Sequence, residues 1–386
     1  MIPLYYAYGV FGFTFSFISI AVQFTMIDKY QFQPSENAYA WAIVALPWVF
    51  KPMYAIMSDK PIFGYRRSYI SVAAFVCAVV FAYSPALVVG KKSLVAVLAT
   101  CSLFLCVADV GCDSMLVEMV KQESVKGTFQ SRCWFARNVG NLGATCLSGL
   151  VYSRMGFEPV LRIASIPIFV LALCIWDIPE KYKKSLPTTE IIKSSLVAVK
   201  KMWKLLLFIF VVNMVPEVSN ILFYKLKQAN IGPNQMAVVS VAASLSACAA
   251  SAVYQCWKGD KSAVVLSLLS QVVASSIAVA ISMGAPAFEF AIARSVCMSV
   301  SGMMLTLPIV IHTATLCPEG SEGTTYSIVM SWMNLTAILS ETIEGLVTSA
   351  IGITGDNLTG MSSFCLIALA MSIVPFAFLK ILPMRV

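Results

Sequence analysis

Asp109 and Asp113 stand four residues apart inside an apolar run, a spacing that puts both carboxylates on one face of a helix. The next apolar run carries Arg132 and Arg137, and the second run of the chain carries Lys51. In water these would be ordinary surface charges, but inside hydrocarbon each needs a counter-charge or a water-filled path. At a rise of ~1.5 Å per residue, Asp109 and Arg137 fall at a similar depth, ~13–15 Å from one membrane surface, with Lys51 ~10 Å from it. They are expected to pair. Such a network either fastens helices together or holds a charged solute or a proton, and the residues leave both readings open.

A second set lies further along the chain. Asn213, Glu217, Asn220 and Tyr224 recur at spacings of four, three and four, a polar stripe on one face if the run is a continuous helix. Glu217 has no basic neighbour in sequence, so it and Asp109 are the expected proton-coupling carboxylates. Arg294 and Glu341 fall at comparable depth on consecutive runs and are expected to bond, with Glu344 one turn beyond. In the first run, Tyr8, Phe11 and Phe15 share a face continued by Gln23, an expected wall for a flat ring.

The elements that must position these residues are membrane helices. The 386 residues are 59% hydrophobic and only 12% charged, and the mean hydropathy of +0.82 excludes a water-soluble domain. The net charge of +8 comes from residues in short connectors, a membrane-orientation signal and not a nucleic-acid footprint. The 12 cysteines lie mostly inside apolar runs, and the single histidine, His312, cannot build a metal site alone. No metal, cofactor or enzymatic activity is expected.

Apolar runs begin near Leu4, Tyr39, Tyr69, Leu94, Phe129 and Pro159, then near Trp203, Met236, Ala263, Ala287, Thr325 and Met361. The expected fold is therefore all-α, with twelve transmembrane helices in two six-helix halves, 1–179 and 205–386. Between them, 180–204 is a basic connector holding Lys181, Lys183, Lys184, Lys193, Lys200, Lys201 and Lys204. On one side of the membrane the connectors and tail hold these lysines together with Lys60, Arg66, Arg67, Lys121, Lys126, Lys258, Lys261, Lys380 and Arg385. The other side holds only Lys29, Lys91, Lys92, Arg154, Lys225 and Lys227. The richer side is the cytoplasmic one, which puts both termini there; no cleavable leader is expected. Six and six crossings around a basic loop suit a carrier whose halves rock about a midplane site.

The connector after the second run reads Ser58-Asp59-Lys60-Pro61-Ile62-Phe63-Gly64-Tyr65-Arg66-Arg67. An acid at the end of one helix and a basic pair at the start of the next, across a glycine turn, can latch a gate by pairing charges in one conformation only. The stretch Leu46–Ile70, LPWVFKPMYAIMSDKPIFGYRRSYI, closely resembles the signature of the folate-biopterin transporter family, a branch of the major facilitator superfamily. Ala108-Asp109, Asp113, Glu118, Gln130, Cys133-Trp134 and Ala136-Arg137 extend the resemblance. So do Pro308, Leu316-Cys317-Pro318, Glu322-Gly323, Met330-Ser331 and Asn334.

The resemblance implies a major facilitator fold and uptake of folates or pterins coupled to protons. Lys51, Asp59, Arg66, Arg67, Asp109, Asp113 and Arg137 are then the family-type polar positions. The chain departs from the family pattern at Arg294, where an acid is usual, and at Ala55, where a glycine is. Folates are anions with a flat heterocycle, so Lys51, Arg137 or Arg294 would hold carboxylates while an aromatic face stacks the ring. A carrier for another organic anion or an amino-acid-like solute, and a receptor that has lost transport, stand as alternatives. The expected setting is a monomer in the lipid bilayer of the plasma membrane, a plastid membrane being the other choice. The orientation has a direct check in a chain otherwise free of cysteine. A membrane-impermeant thiol reagent added to intact cells should modify Asn357→Cys and spare Lys184→Cys, and the opposite pattern reverses the topology.

Overall fold

A backbone crossing hydrocarbon finds no water to bond, so each long apolar run closes its hydrogen bonds internally as helix. The computed structural model describes residues 2–59, 65–121, 128–178, 180, 187–257 and 259–382. The first six crossings begin with α1 (Ile2–Phe24), which is prolonged by a wide turn over Thr25–Lys29. The second crossing is bent. It comprises α2 (Pro34–Ala45) and α3 (Lys51–Asp59), joined by a tight helical turn over Leu46–Phe50 where Pro47 and Pro52 remove backbone donors. Then come α4 (Arg66–Leu87), α5 (Lys91–Lys121), α6 (Thr128–Met155) and α7 (Phe157–Cys174).

A short helix, α8 (Thr188–Lys201), precedes the last six crossings. The seventh is again broken, into α9 (Trp203–Asn213) and α10 (Ser219–Gln228). Pro216 lacks an N–H and pushes Val215 out of helical geometry, so the chain from 215 to 218 is irregular. The remainder are α11 (Pro233–Cys256), α12 (Asp260–Ser282), α13 (Ala287–Leu316), α14 (Glu322–Ile351) and α15 (Met361–Ile373).

Among the described residues, nine of these crossings are long and apolar enough to span a membrane on composition alone. The other three are α6, α14 and the broken α9–α10 pair. At 28 and 30 residues α6 and α14 have ample length, but their charged and amide side chains dilute their apolarity. On their inward faces Gln130, Arg137 and Asn138 of α6 and Glu344 of α14 find partners inside the bundle. Large apolar residues such as Val72, Ile166, Leu173, Leu245 and Leu269 face outward, as a lipid-facing surface requires.

Contacts repeat between the halves. The third crossing of each packs on the fourth and the sixth, α4 on α5 and α7, and α12 on α13 and α15. Between halves, α6 lies along α11, and α14 lies along α2 and α3. The tightest crossing inside the first half is α1 on α6. A Cβ at Gly12 would run into the carbonyl of Arg137, and one at Gly140 into the backbone of Gly9. This approach seats α6, and with it Arg137, against α1. Gly12→Ala should therefore cost about 1–3 kcal/mol, read as a lowered unfolding temperature in detergent. Gly143→Ala, where nothing lies within 4 Å of the new methyl, should leave that temperature unchanged.

Candidate functional site

Lys51 opens α3 directly after the tight turn, which aims its side chain inward to a position only 1% exposed. Its Nζ donates to Asp109 Oδ2 at 2.5 Å and to Asp113 Oδ2 at 3.1 Å. Arg137 Nη1 donates to Asp109 Oδ1 at 3.2 Å, and the Tyr8 hydroxyl donates to Asp113 Oδ1 at 2.5 Å. Every carboxylate oxygen thus has a donor, and two cations balance two anions. Lys51, Asp109, Asp113 and Arg137 are brought together, while Arg132 is exposed and takes no part. Replacing such a network by apolar groups commonly costs nothing, whereas removing one member strands a charge at about 3–5 kcal/mol.

The network forms one wall of a chamber of about 310 Å³ between the halves. Two indoles line it. The Lys51 ammonium lies 5.0 Å from the Trp48 ring centroid, and the Arg137 guanidinium lies 5.4 Å from that of Trp134. Trp48 Nε1 donates to Ser102 at 2.8 Å, but the buried Nε1 of Trp134 has no hydrogen-bond partner among the described residues. The opposite wall is a face of α14 carrying Met330, Asn334, Ala337 and Glu341. Sequence reasoning assigns the ring wall to Tyr8, Phe11 and Phe15. Tyr8 and Phe11 are buried in the first-half core, and the aromatic side chains that line this chamber are Trp48 and Trp134. The signal is readable, since each tryptophan stands three residues from its cation, on the same helical face.

The second polar set differs from expectation in two respects. Glu217 is not part of a continuous helical stripe, because it stands in the break that Pro216 makes. There its Oε1 accepts from the amides of Val218 and Ser219, satisfying donors at the start of α10. Nor is it without a cation. Arg294 Nη2 lies 3.3 Å from Glu217 Oε1, so Arg294 bonds Glu217 and not Glu341. Asn213 donates to Thr336 at 2.8 Å and Asn220 to Glu344 at 2.8 Å, tying α9 and α10 to α14. Glu341 and Ala337 also line a second chamber of about 190 Å³ that includes Asn213, Glu217 and Gln271.

The two halves are joined on both sides of these chambers. At one end Asp59 Oδ1 accepts from Arg66 Nη2 at 3.0 Å, and its Oδ2 accepts from Thr324 N at 2.8 Å and Thr324 Oγ1 at 2.7 Å. A first-half carboxylate thereby caps the start of a second-half helix, where the amides point outward and the helix dipole favours an anion. Gly323 permits the approach, since a Cβ there would meet Ser114 and Asp59. Arg66 also pairs with Glu118 at 2.7 Å. Arg67 does different work: it lies against Tyr65 and Trp176 and donates to the carbonyls of Trp176 and Ile178, pinning α4 to the end of α7. Gly64 lies outside the described residues. At the other end Lys227 pairs with Asp28, the Tyr224 hydroxyl donates to Phe32 O at 2.5 Å, and Gly355 N donates to Gln33 at 2.9 Å.

A twelve-crossing helical bundle with a charged chamber between its halves is a membrane transporter of the major facilitator fold. Its architecture is similar to that of the nucleoside transporter NupG, with a TM-score of 0.69 at 13% identity over 98% of this chain and 97% of that one. It is likewise similar to a D-xylose-proton symporter, with a TM-score of 0.71 at 15% identity over 98% and 97%. The chain belongs to the BT1 family, whose model matches residues 12–386. A folate-biopterin transporter of Synechocystis sp. is 27% identical to it over 404 aligned residues, covering 99% of this chain and 81% of that protein. Folate transporter 1 of Plasmodium falciparum is 23% identical over 384, covering 95% and 76%.

The charge balance around Asp109 sets a non-additive pattern. Arg137→Ala leaves one cation for two carboxylates and should destabilise the folded protein by about 3–5 kcal/mol. Arg137→Ala combined with Asp109→Asn restores the balance and should unfold at a higher temperature than the single variant. Equal unfolding temperatures for Arg137→Ala and the unmodified chain would remove the pair from the stability of the bundle.

Proposed function

We propose that this transporter carries folates or pterins by alternating access, coupled to proton movement. The observation that supports it most is the chamber between the halves, where two cation-bearing indoles face α14. A folate needs a cation for its carboxylates and a π-face for its ring. Lys51 is fully engaged by two carboxylates, whereas Arg137 is 22% exposed and uses one Nη for Asp109. Arg137 is therefore the group that receives the anionic end, with Trp134 and Trp48 beside the ring. The printed names of the relatives point to the same solutes.

Alternating access follows from the two latches. Breaking Asp59 from the start of α14 frees one end, and breaking Lys227 from Asp28 frees the other. In this reading the halves 1–179 and 205–386 rock about the connector 180–204, with the Asp59 end cytoplasmic. Coupling follows from charge. A proton taken up at Asp109 leaves the balanced network with one excess positive charge, which an anionic solute offsets, so proton and solute each favour the other's binding. At Glu217 a proton would release Arg294 in the same way. The plasma membrane is the proposed site of action.

Labelled folate and labelled biopterin offered to vesicles containing only this protein test the reading. Uptake should be faster with the external medium acidic, and Asp109→Asn should abolish accumulation against a gradient while leaving solute-for-solute exchange. Uptake indifferent to a proton gradient would remove the coupling, and failure to take up either solute would remove the substrate.

A further inference from the structure

Three carboxylates line the central chamber, and they are not alike. Asp109 and Asp113 are neutralised by Lys51 and Arg137. Glu341 is not: among the described residues nothing bonds its buried Oε2, and Arg294 is occupied by Glu217. Across the chamber, on the first half, the buried Nε1–H of Trp134 is likewise without a partner among those residues. A desolvated polar atom left unbonded costs about 1–3 kcal/mol, and here an orphan acceptor and an orphan donor belong to two side chains that line one chamber, where a ligand could complete them once the side chains turn to it. The chamber therefore asks for a molecule with N–H donors on one edge, an acceptor on another and a π-face.

We infer that Glu341 is a specificity-determining residue whose carboxylate takes the 2-amino and N3–H donors of a pterin ring, while Trp134 Nε1–H donates to a ring acceptor. This rests on the proposed solute class and deepens it. A carboxylate and a 2-amino-4-oxo pyrimidine edge match as two parallel N–H···O bonds, one of the stronger pairings open to a neutral ring. At about 310 Å³ the chamber is at the small end of the ~300–1,000 Å³ range of ligand pockets. It suits the bicyclic head, so the head and not the tail carries the selectivity. Trp134 belongs to α6 and Glu341 to α14, so one ring bonds both halves and its binding favours their closed arrangement. Glu341 also borders the second chamber, which leaves its carboxylate a route out when the halves part.

The experiment is competition against labelled biopterin in vesicles containing the full chain. The competitors are unlabelled biopterin and its 2-oxo analogue, in which an acceptor replaces the amino donor. The unmodified protein should prefer the 2-amino ring by at least about 10-fold. E341Q presents one acceptor and one donor, which matches the 2-oxo edge, so the preference should shrink to less than about 3-fold or invert. E341D, which keeps the charge on a shorter arm, should retain the order of preference at weaker apparent affinity, and it carries the test if E341Q does not fold. An undiminished 10-fold preference in E341Q overturns the assignment of Glu341 alone. Absence of uptake of both biopterin and folate by the unmodified protein overturns the solute class and this assignment with it.

Discussion

An ammonium group cannot stay charged in hydrocarbon without counter-charges, and Lys51, 1% exposed at the centre of the bundle, sets the terms for everything around it. Its two carboxylates must come from one helical face, which requires Asp109 and Asp113 four apart on α5. Two carboxylates exceed one cation, so a second must arrive, and Arg137 arrives because glycines at 9, 12 and 140 let α1 and α6 pack backbone to backbone. Small residues at that crossing are as much a part of the site as the charged ones. A balanced network of this kind adds little net stability over an apolar core. On the proposed coupling, its value lies in what changes when a proton or an anion joins it.

The helix breaks serve the same end. A regular helix satisfies its own backbone and presents side chains at fixed angles, which leaves few ways to aim a charge along its axis. In the second crossing the tight turn over Leu46–Phe50 resets the helix so that Lys51 starts a new one. In the seventh, the Pro216 break exposes the amides that start α10, and Glu217 and Glu344 both accept from them. Irregular backbone at membrane depth persists only where protein or a cavity satisfies it. The second chamber, lined by Asn213, Val215 and Glu217, adjoins that break.

How far the sequence discloses this depends on whether the helix concerned is regular. Depth reckoning brings Asp109 and Arg137 together because α5 and α6 are uninterrupted and adjacent, so a constant rise converts residue number into height. The same reckoning fails for Arg294. It supplies height but not azimuth, and the guanidinium turns to Glu217 rather than to Glu341. Glu217 escapes for a simpler reason, since the four-three-four spacing around it holds only if Pro216 does not break the helix. The starts of the twelve crossings are legible because hydropathy depends on composition alone. The Asp59 bond to Thr324 joins residues 265 apart, and only the latch chemistry of Asp59 is visible in the sequence, not its partner.

The halves differ in what they leave undone. On the first-half wall of the chamber, cations and anions cancel, and among the described residues a partly exposed guanidinium and an indole N–H stay open there. In the second, the open group across the chamber is a carboxylate, Glu341. A solute with complementary ends therefore meets full pairing only when both halves are in contact with it, and either half alone leaves a desolvated group unbonded. Binding energy of that form favours the closed arrangement over either open one. The latches need then be only strong enough to hold an empty carrier shut at one end. Lys227 on Asp28 is exposed, so water replaces that bond as it breaks, whereas Asp59 on the amides of α14 is buried and is the harder of the two to part. On the proposed alternating-access reading, the closed arrangement is thus favoured by solute contacts on α6 and α14, and the empty carrier by the two latches.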